Sequence, residues 1–272
     1  MSSTIRPAHI STRRGAWKGG RSASAALTAL CSAGLILGLS SGVASAAIHK
    51  SKKTTAKTTT TTTAPTTTTT SVSQADTWLL KAIGAEAKLG SVRILGNVQQ
   101  STGDIILSLD VNGDGEGGGT FKQQGSTIQL KRIGPLLYFN APAKFWSAHA
   151  TAAQTKQYGG KWIEVSALDS RFTSFDQFLD AGDLVAAVFQ GHSTPLTVTK
   201  PTTYQGHKVV IVEDTVTVKG KKSSGKMYIE STGTPYVLKI VDRGPSENST
   251  IYFSNYGAPK SITVPPEPIN LS

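Results

Sequence analysis

The sequence predicts an α+β domain: an antiparallel, strongly curved sheet of about nine or ten strands with helices laid over one face. Three observations predict it. Apolar residues follow helical spacing as far as Gly90 and then alternate with a period of two. Glycine-containing turn signals separate one alternating run from the next, as in a meander. Two stretches at helical spacing interrupt that meander in mid-chain.

Asp76 to Leu89 carries Trp78, Leu79, Ala82, Ile83 and Ala87 on one helical face, with Gly90 as a stop. Val92, Ile94 and Val98 then alternate with Arg93, Asn97 and Gln99. Ile105, Leu107, Leu109 and Val111 form the second strand, Gly117 to Gln123 the third, and Thr127 to Ile133 the fourth after the Gln124-Gly125 turn. Gly134-Pro135 leads into Leu136 to Asn140. A helix follows Pro142 with Phe145, Trp146, His149, Ala152, Ala153 and Tyr158, and a short strand spans Lys161 to Val165. A second helix begins near Ser174, with Gln177 as its capping-box partner, and carries Phe175, Phe178, Leu179, Leu184, Val185, Val188 and Phe189 before Gly191. The meander resumes near Leu196 to Thr203, His207 to Val218, Lys226 to Ser231, Tyr236 to Val241 and Thr250 to Ser254. A Pro-rich tail closes the chain.

The N-terminal quarter has a different character. Arg6, Arg13, Arg14, Lys18 and Arg21 precede a weakly apolar stretch, and Ala44-Ser45-Ala46 is a small-residue cleavage site, so residues 1–46 read as a signal peptide cleaved after Ala46. Thr12 to Lys18 partly matches a twin-arginine signal, but Ala16 stands where a bulky apolar residue is usual. Residues 47–74 are Thr-rich with almost no large apolar group, and they read as a disordered linker. The net charge of +11 resides mostly here: residues 1–74 hold nine Lys and Arg and no acid. The domain from 75 to 272 is near neutral, so no nucleic-acid partner is expected. The signal peptide makes the expected location extracytoplasmic, in the envelope or secreted, and the spacer slightly favours attachment to membrane or cell wall. Cys31, the single cysteine, lies inside the signal with most of the apolar run after it, a poor lipidation site.

Several motifs carry the resemblance to a known family. They are Gly113 to Phe121 (GDGEGGGTF), Ile128 to Phe139 (IQLKRIGPLLYF), the Phe145-Trp146 pair, Gly159 to Trp162 (GGKW) and Ser170 to Phe175 (SRFTSF). In this order the chain resembles the LppX/LprAFG family of bacterial envelope lipoproteins, which share the half-barrel of LolA/LolB-type carriers. The resemblance covers 75 to 272. It implies helices on the concave face of a half-barrel and an apolar cavity between the two layers that holds a lipid or acylated glycolipid. The chain departs from the family's N-terminal lipid-modified cysteine.

The candidate lining is Phe145, Trp146, Phe175, Phe178, Leu179, Val188 and Phe189. The same stripe would equally serve as plain core. The expected ligand is a lipid or other hydrophobic small molecule, with no cofactor, no metal and no catalytic residue. Asp110-x-Asn112-x-Asp114-Gly115 imitates the start of a calcium loop, but the position requiring a bidentate glutamate is Phe121. The glycines there predict a bend or bulge instead. No GxSxG, HExxH or phosphate-loop pattern occurs, and His149, His192 and His207 stand apart. Two other functions remain open on these residues: a ligand-free wall-associated interaction module, and a hydrolase whose residues assemble only in space.

Overall fold

The computed structural model describes residues 73–99, 103–169, 172–188, 195–218, 220–244 and 248–271. The expected signal peptide, most of the linker, His192 and Phe189 lie outside the described residues. Helix α1 (Gln74–Glu86) opens the domain, capped by Ser73: its Oγ accepts from Asp76 N–H at 3.1 Å, and Asp76 returns the bond. Five strands follow, β1 (Ser91–Val98), β2 (Ile105–Asn112), β3 (Gly117–Gln123), β4 (Ser126–Ile133) and β5 (Leu136–Asn140). Helices α2 (Ala143–His149) and α3 (Ala152–Tyr158) precede β6 (Trp162–Ser166). Then come α4 (Thr173–Asp176), a 3₁₀ turn (Gln177–Leu179) and α5 (Ala181–Val188). The remaining strands are β7 (Thr197–Val198), β8 (Thr202–Tyr204), β9 (His207–Val218), β10 (Lys221–Glu230), β11 (Val237–Arg243), β12 (Asn248–Gly257) and β13 (Ile269–Asn270).

The thirteen strands among the described residues belong to one unclosed sheet, in the order β13-β6-β5-β4-β3-β2-β1-β12-β11-β10-β9-β7, with β8 also on β9. Every pairing is antiparallel except β13 on β6, so the architecture is an α+β half-barrel with a mixed sheet. The count exceeds the expected nine or ten because short pieces pair. The run from Leu196 to Thr203 splits into β7 and β8 around Pro201, which has no N–H to give a ladder. The Pro-rich tail contributes β13.

Both expected helices of mid-chain are broken, each at a residue that caps better than it propagates. Thr151 accepts from Gln154 N–H at 3.3 Å and starts α3. Asp180 is extended and accepts from Asp183 N–H at 2.8 Å, which starts α5. The side chains of Ser174 and Gln177, the expected capping pair, lie outside the described residues.

Register places one apolar row across the sheet. Val198, Val212, Met227, Ile240, Ile251, Gly96, Leu107, Phe121 and Ile128 are successive cross-strand partners from β7 to β4. A parallel row runs Phe253, Ile94, Leu109, Gly119, Leu130, Phe139, Ile163. Apart from the glycines and the half-buried Val198, these side chains are buried, and they form the face the helices cover.

The β2–β3–β4 ladders keep unbroken register through Gly117, Gly118 and Gly119, so the expected bulge is absent from both. The glycines serve close approach instead. Gly119 has φ +151°, and a Cβ there would stand 2.1 Å from Ser108 O.

Candidate functional site

The layer between helices and sheet is aromatic. Phe139 on β5 is its centre, with Phe172 at 5.0 Å, Trp146 at 5.5 Å and Phe175 at 6.1 Å between ring centroids. Phe121 on β3 meets Phe175 edge-on at 5.9 Å and Phe178 at 5.3 Å. Tyr158 on α3 closes over Trp146 at 5.1 Å, and Phe145 meets it edge-on at 5.6 Å. These separations are those of rings in contact. Alternation supplies the sheet's contribution, and the helix breaks aim Trp146 and Phe178 from separate short segments.

Two buried donors on the α2–α3 hairpin have no hydrogen-bond partner among the described residues: Trp146 Nε1 and Thr155 Oγ1. A buried indole N–H without an acceptor costs about 1–3 kcal/mol. It stands here among the rings of Phe139, Phe145 and Tyr158.

Beside that layer, at the end of α1, lies an acid corner. Glu86 is buried; its Oε1 accepts from Val237 N–H at 2.9 Å and lies 2.8 Å from Tyr256 Oη, which is also 2.6 Å from Val237 O. Tyr236 stacks on Tyr256 at 4.0 Å. Burial pushes the Glu86 carboxyl up from 4.5 to about 7, against the pull of the bonds from Val237 and Tyr256. Glu86 borders a cavity of about 230 Å³ between α1 and α5 that Asp180, Asp183 and Asn112 also line. Burial raises Asp183 too, reinforced by Asp180 and opposed by Arg132. Asp176 is raised by burial against its ion pair with Arg132 at 3.1 Å.

Five of the seven expected lining residues come together here and are buried: Phe145, Trp146, Phe175, Phe178 and Leu179. Val188 ends α5, its side chain outside the described residues, as is Phe189. His149 packs on the Phe145 ring at 4.7 Å, and His207 pairs with Glu230 at 3.1 Å on an exposed edge. The calcium-like residues have other partners. Asp110 bonds Arg93 and Lys260, Asn112 bonds the Lys260 backbone, and Asp114 Oδ1 accepts from Glu116 N–H.

The helix stripes did not point to Phe121, Phe139 and Phe172 as members of the layer, although Phe121 and Phe139 sit at inward positions of alternating strands. Glu86 was missed as well. Its one local signal is an acid four residues after Ala82, on the stripe that helical spacing buries.

No protein-family model and no curated protein matches the sequence. Solved structures similar to this one include LprF from Mycobacterium bovis, at 17% identity and a TM-score of 0.45, covering 71% of this chain and 97% of that one. The Mycobacterium tuberculosis lipoprotein LppX is 11% identical, with a TM-score of 0.44 over 69% of this chain and 97% of its own.

Proposed function

We propose that this domain is an extracytoplasmic binding module for a hydrophobic ligand, a lipid or acylated glycolipid, held between the sheet and its helical cover. The observation that carries this reading is the buried indole N–H of Trp146, which has no hydrogen-bond partner among the described residues. An ester or amide carbonyl at the head of an acyl chain supplies the missing acceptor, and each CH₂ drawn from water adds about 0.8 kcal/mol.

The cover suits such a role. Its pieces are seven, seven, four, three and eight residues long, below the length at which a helix persists alone. Their order depends on side chains docked on the sheet, so they are the part that can lift while the strand ladders persist. The lining would comprise Phe145, Trp146, Phe175, Phe178 and Leu179, with Val188 and Phe189 completing it from the end of α5. The preceding signal peptide (1–46) and Thr-rich linker (47–74) would export the domain and set it off from membrane or wall. Binding, rather than a reaction, is the assigned activity.

A second reading rests on the same rings. Their mutual contacts describe a filled interior, which favours a ligand-free wall-associated module. Native mass spectrometry of the full chain, purified from membrane-containing lysate without detergent, separates the two. Co-purifying acyl lipid, lost in Trp146→Ala with the fold retained, is the expected result. A protein of bare mass that takes up no acyl chain from lipid vesicles rejects the lipid reading in favour of the filled module.

A further inference from the structure

The face of the sheet turned away from the helices carries a site of different chemistry. On β10 the alternate residues Lys222, Ser224, Lys226 and Tyr228 share that outer face, while Ser223, Gly225, Met227 and Ile229 are buried on the other. Cross-strand pairing fills in the neighbours. Thr215 and Arg243 flank Ser224, Glu213 flanks Lys226, and Ile211 and Lys239 flank Tyr228. Lys239 pairs onward with Tyr252 on β12.

The upper part is a groove of about 400 Å³ lined by Glu213, Thr215, Lys222, Ser224, Lys226, Arg243 and Gly244. Three cations and two hydroxyls face one carboxylate there, and that carboxylate is held by Lys226 at 2.9 Å. Arg243 is fixed by bonds to the Asp242 and Ser249 carbonyls and to Thr250 Oγ1, so its charge stays in place. The lower part is an aromatic platform. Lys239 Nζ lies 5.3, 5.5 and 5.4 Å from the ring centres of Tyr204, Tyr228 and Tyr252. Tyr204 and Tyr228 lie 5.0 Å apart, and Tyr252 is 42% exposed. At about 3.3 Å per strand residue, Lys222 to Tyr228 spans about 20 Å.

We propose that this outer face of β9–β12 is a binding site for an anionic polysaccharide, whose acidic groups enter the Lys222–Lys226–Arg243 groove and whose sugar faces lie on Tyr228 and Tyr252. Fixed cations in a concave, hydroxyl-lined groove complement carboxylate or phosphate substituents. Rings gathered around a central ammonium, Tyr204 and Tyr228 tilted 48° to one another, offer apolar area at low entropic cost, with phenolic hydroxyls at hand for sugar oxygens. An extended chain lying along β10 reaches both halves at once. The site is separate from the helix-covered face, so it stands whether or not that face holds a lipid.

The test uses the full chain and three probes at physiological ionic strength: polygalacturonate, neutral dextran, and phosphatidylglycerol-containing vesicles. Calorimetric binding to polygalacturonate is expected, with dextran silent. The Lys222→Gln/Tyr252→Ser pair, both exposed positions, is expected to weaken binding about tenfold with an unchanged melting temperature. Lys81→Gln, on the opposite side of the fold, is expected to leave it unchanged. Equal binding by the Lys222→Gln/Tyr252→Ser protein overturns the proposal, because it assigns the attraction to the basic N-terminal segment. Binding to vesicles but not to the glycan overturns it in favour of a lipid surface, and equal binding to dextran removes the role of the cations.

Discussion

The Tyr256 hydroxyl lies 2.8 Å from Glu86 Oε1 and 2.6 Å from the Val237 carbonyl, so its one hydrogen is shared between a buried carboxyl and a main-chain oxygen. Val237 N–H donates to the same carboxyl oxygen at 2.9 Å, so Glu86 Oε1 gathers both bonds. It ties the last turn of α1 to the start of β11 and the end of β12.

That buried carboxyl predicts a pH dependence. The Glu86 carboxyl ionises near 4.5 when exposed and near 7 when folded, so as pH rises the unfolded state loses its proton first. Stability then falls between pH 4.5 and 7, by about 3 kcal/mol in total from this group, and is level on either side. Asp176 and Asp183, also raised by burial, add slope of the same sign. Asp110 opposes it: burial raises its pKa, but the bonds from Lys260 and Arg93 outweigh that and hold it low. Glu86→Gln is expected to flatten most of the loss. The amide oxygen can still accept from Val237 N–H and from the Tyr256 hydroxyl, so the variant should stay close to the parent at acidic pH and be the more stable of the two above pH 7. Urea midpoints across that range check the divergence, and parallel curves would remove Glu86 from the account.

Trp146 gives a second prediction, on the helix-covered layer. In ligand-free protein Trp146→Phe removes a donor that has no partner among the described residues, worth about 1–3 kcal/mol, while giving up some packing, so the two effects offset and the melting temperature moves little. Phe178→Ala has no such compensation and should cost about 3–5 kcal/mol. Calorimetry of delipidated protein checks both. A large loss in Trp146→Phe would mean that the indole N–H has an acceptor after all.

What the sequence made legible follows from which forces are local. Alternation along β1 and β2 is a local pattern, and the register of Ile94 with Leu109 follows from it. Phe145, Trp146, Phe175 and Phe178 were legible as apolar helix stripes for the same reason. The breaks at Thr151 and Asp180 were not, because apolar spacing continues through them while a side chain captures a backbone N–H. For Glu86 the helical stripe signals burial but not its bonds, since its partners Val237 and Tyr256 lie 151 and 170 residues away. The outer tyrosines were hidden likewise, since Tyr204, Tyr228 and Tyr252 meet Lys239 only through strand pairing.

Gly119 gives a third prediction. Its φ of +151° and the 2.1 Å approach of Ser108 O leave no room for a methyl group. Gly119→Ala should force β2 and β3 apart in the middle of the apolar row and cost more than about 4 kcal/mol, the range of backbone clashes. Gly206→Ala is the control. Its φ is +87° but nothing lies within 4 Å, so only the conformational penalty of about 1 kcal/mol applies. Chemical denaturation of the two proteins separates steric from conformational cost, and equal losses would deny the close approach.

The fourth prediction concerns how the tail is held. Asn112 is buried at the end of β2, and its amide makes two bonds to one residue: Nδ2 donates to Lys260 O at 2.7 Å, and Oδ1 accepts from Lys260 N–H at 2.8 Å. Ser91 Oγ donates to Ala258 O beside it at 2.8 Å. This clamp starts the segment that ends in β13 on β6, where Asn270 donates to Glu164 at 2.8 Å and covers what would otherwise be an open sheet edge. Asn112→Ala loses both bonds and should cost about 1–3 kcal/mol. Asn112→Asp keeps the size and the acceptor but sets a carboxylate oxygen against the Lys260 carbonyl, so it should cost at least as much at neutral pH. Protonation restores a donor, and the deficit of Asn112→Asp should shrink as pH falls through the carboxylate range while that of Asn112→Ala does not. Hydrogen exchange at the β6 amides reads the release of the tail directly. Unchanged protection there in both variants would show that β13 holds without the clamp.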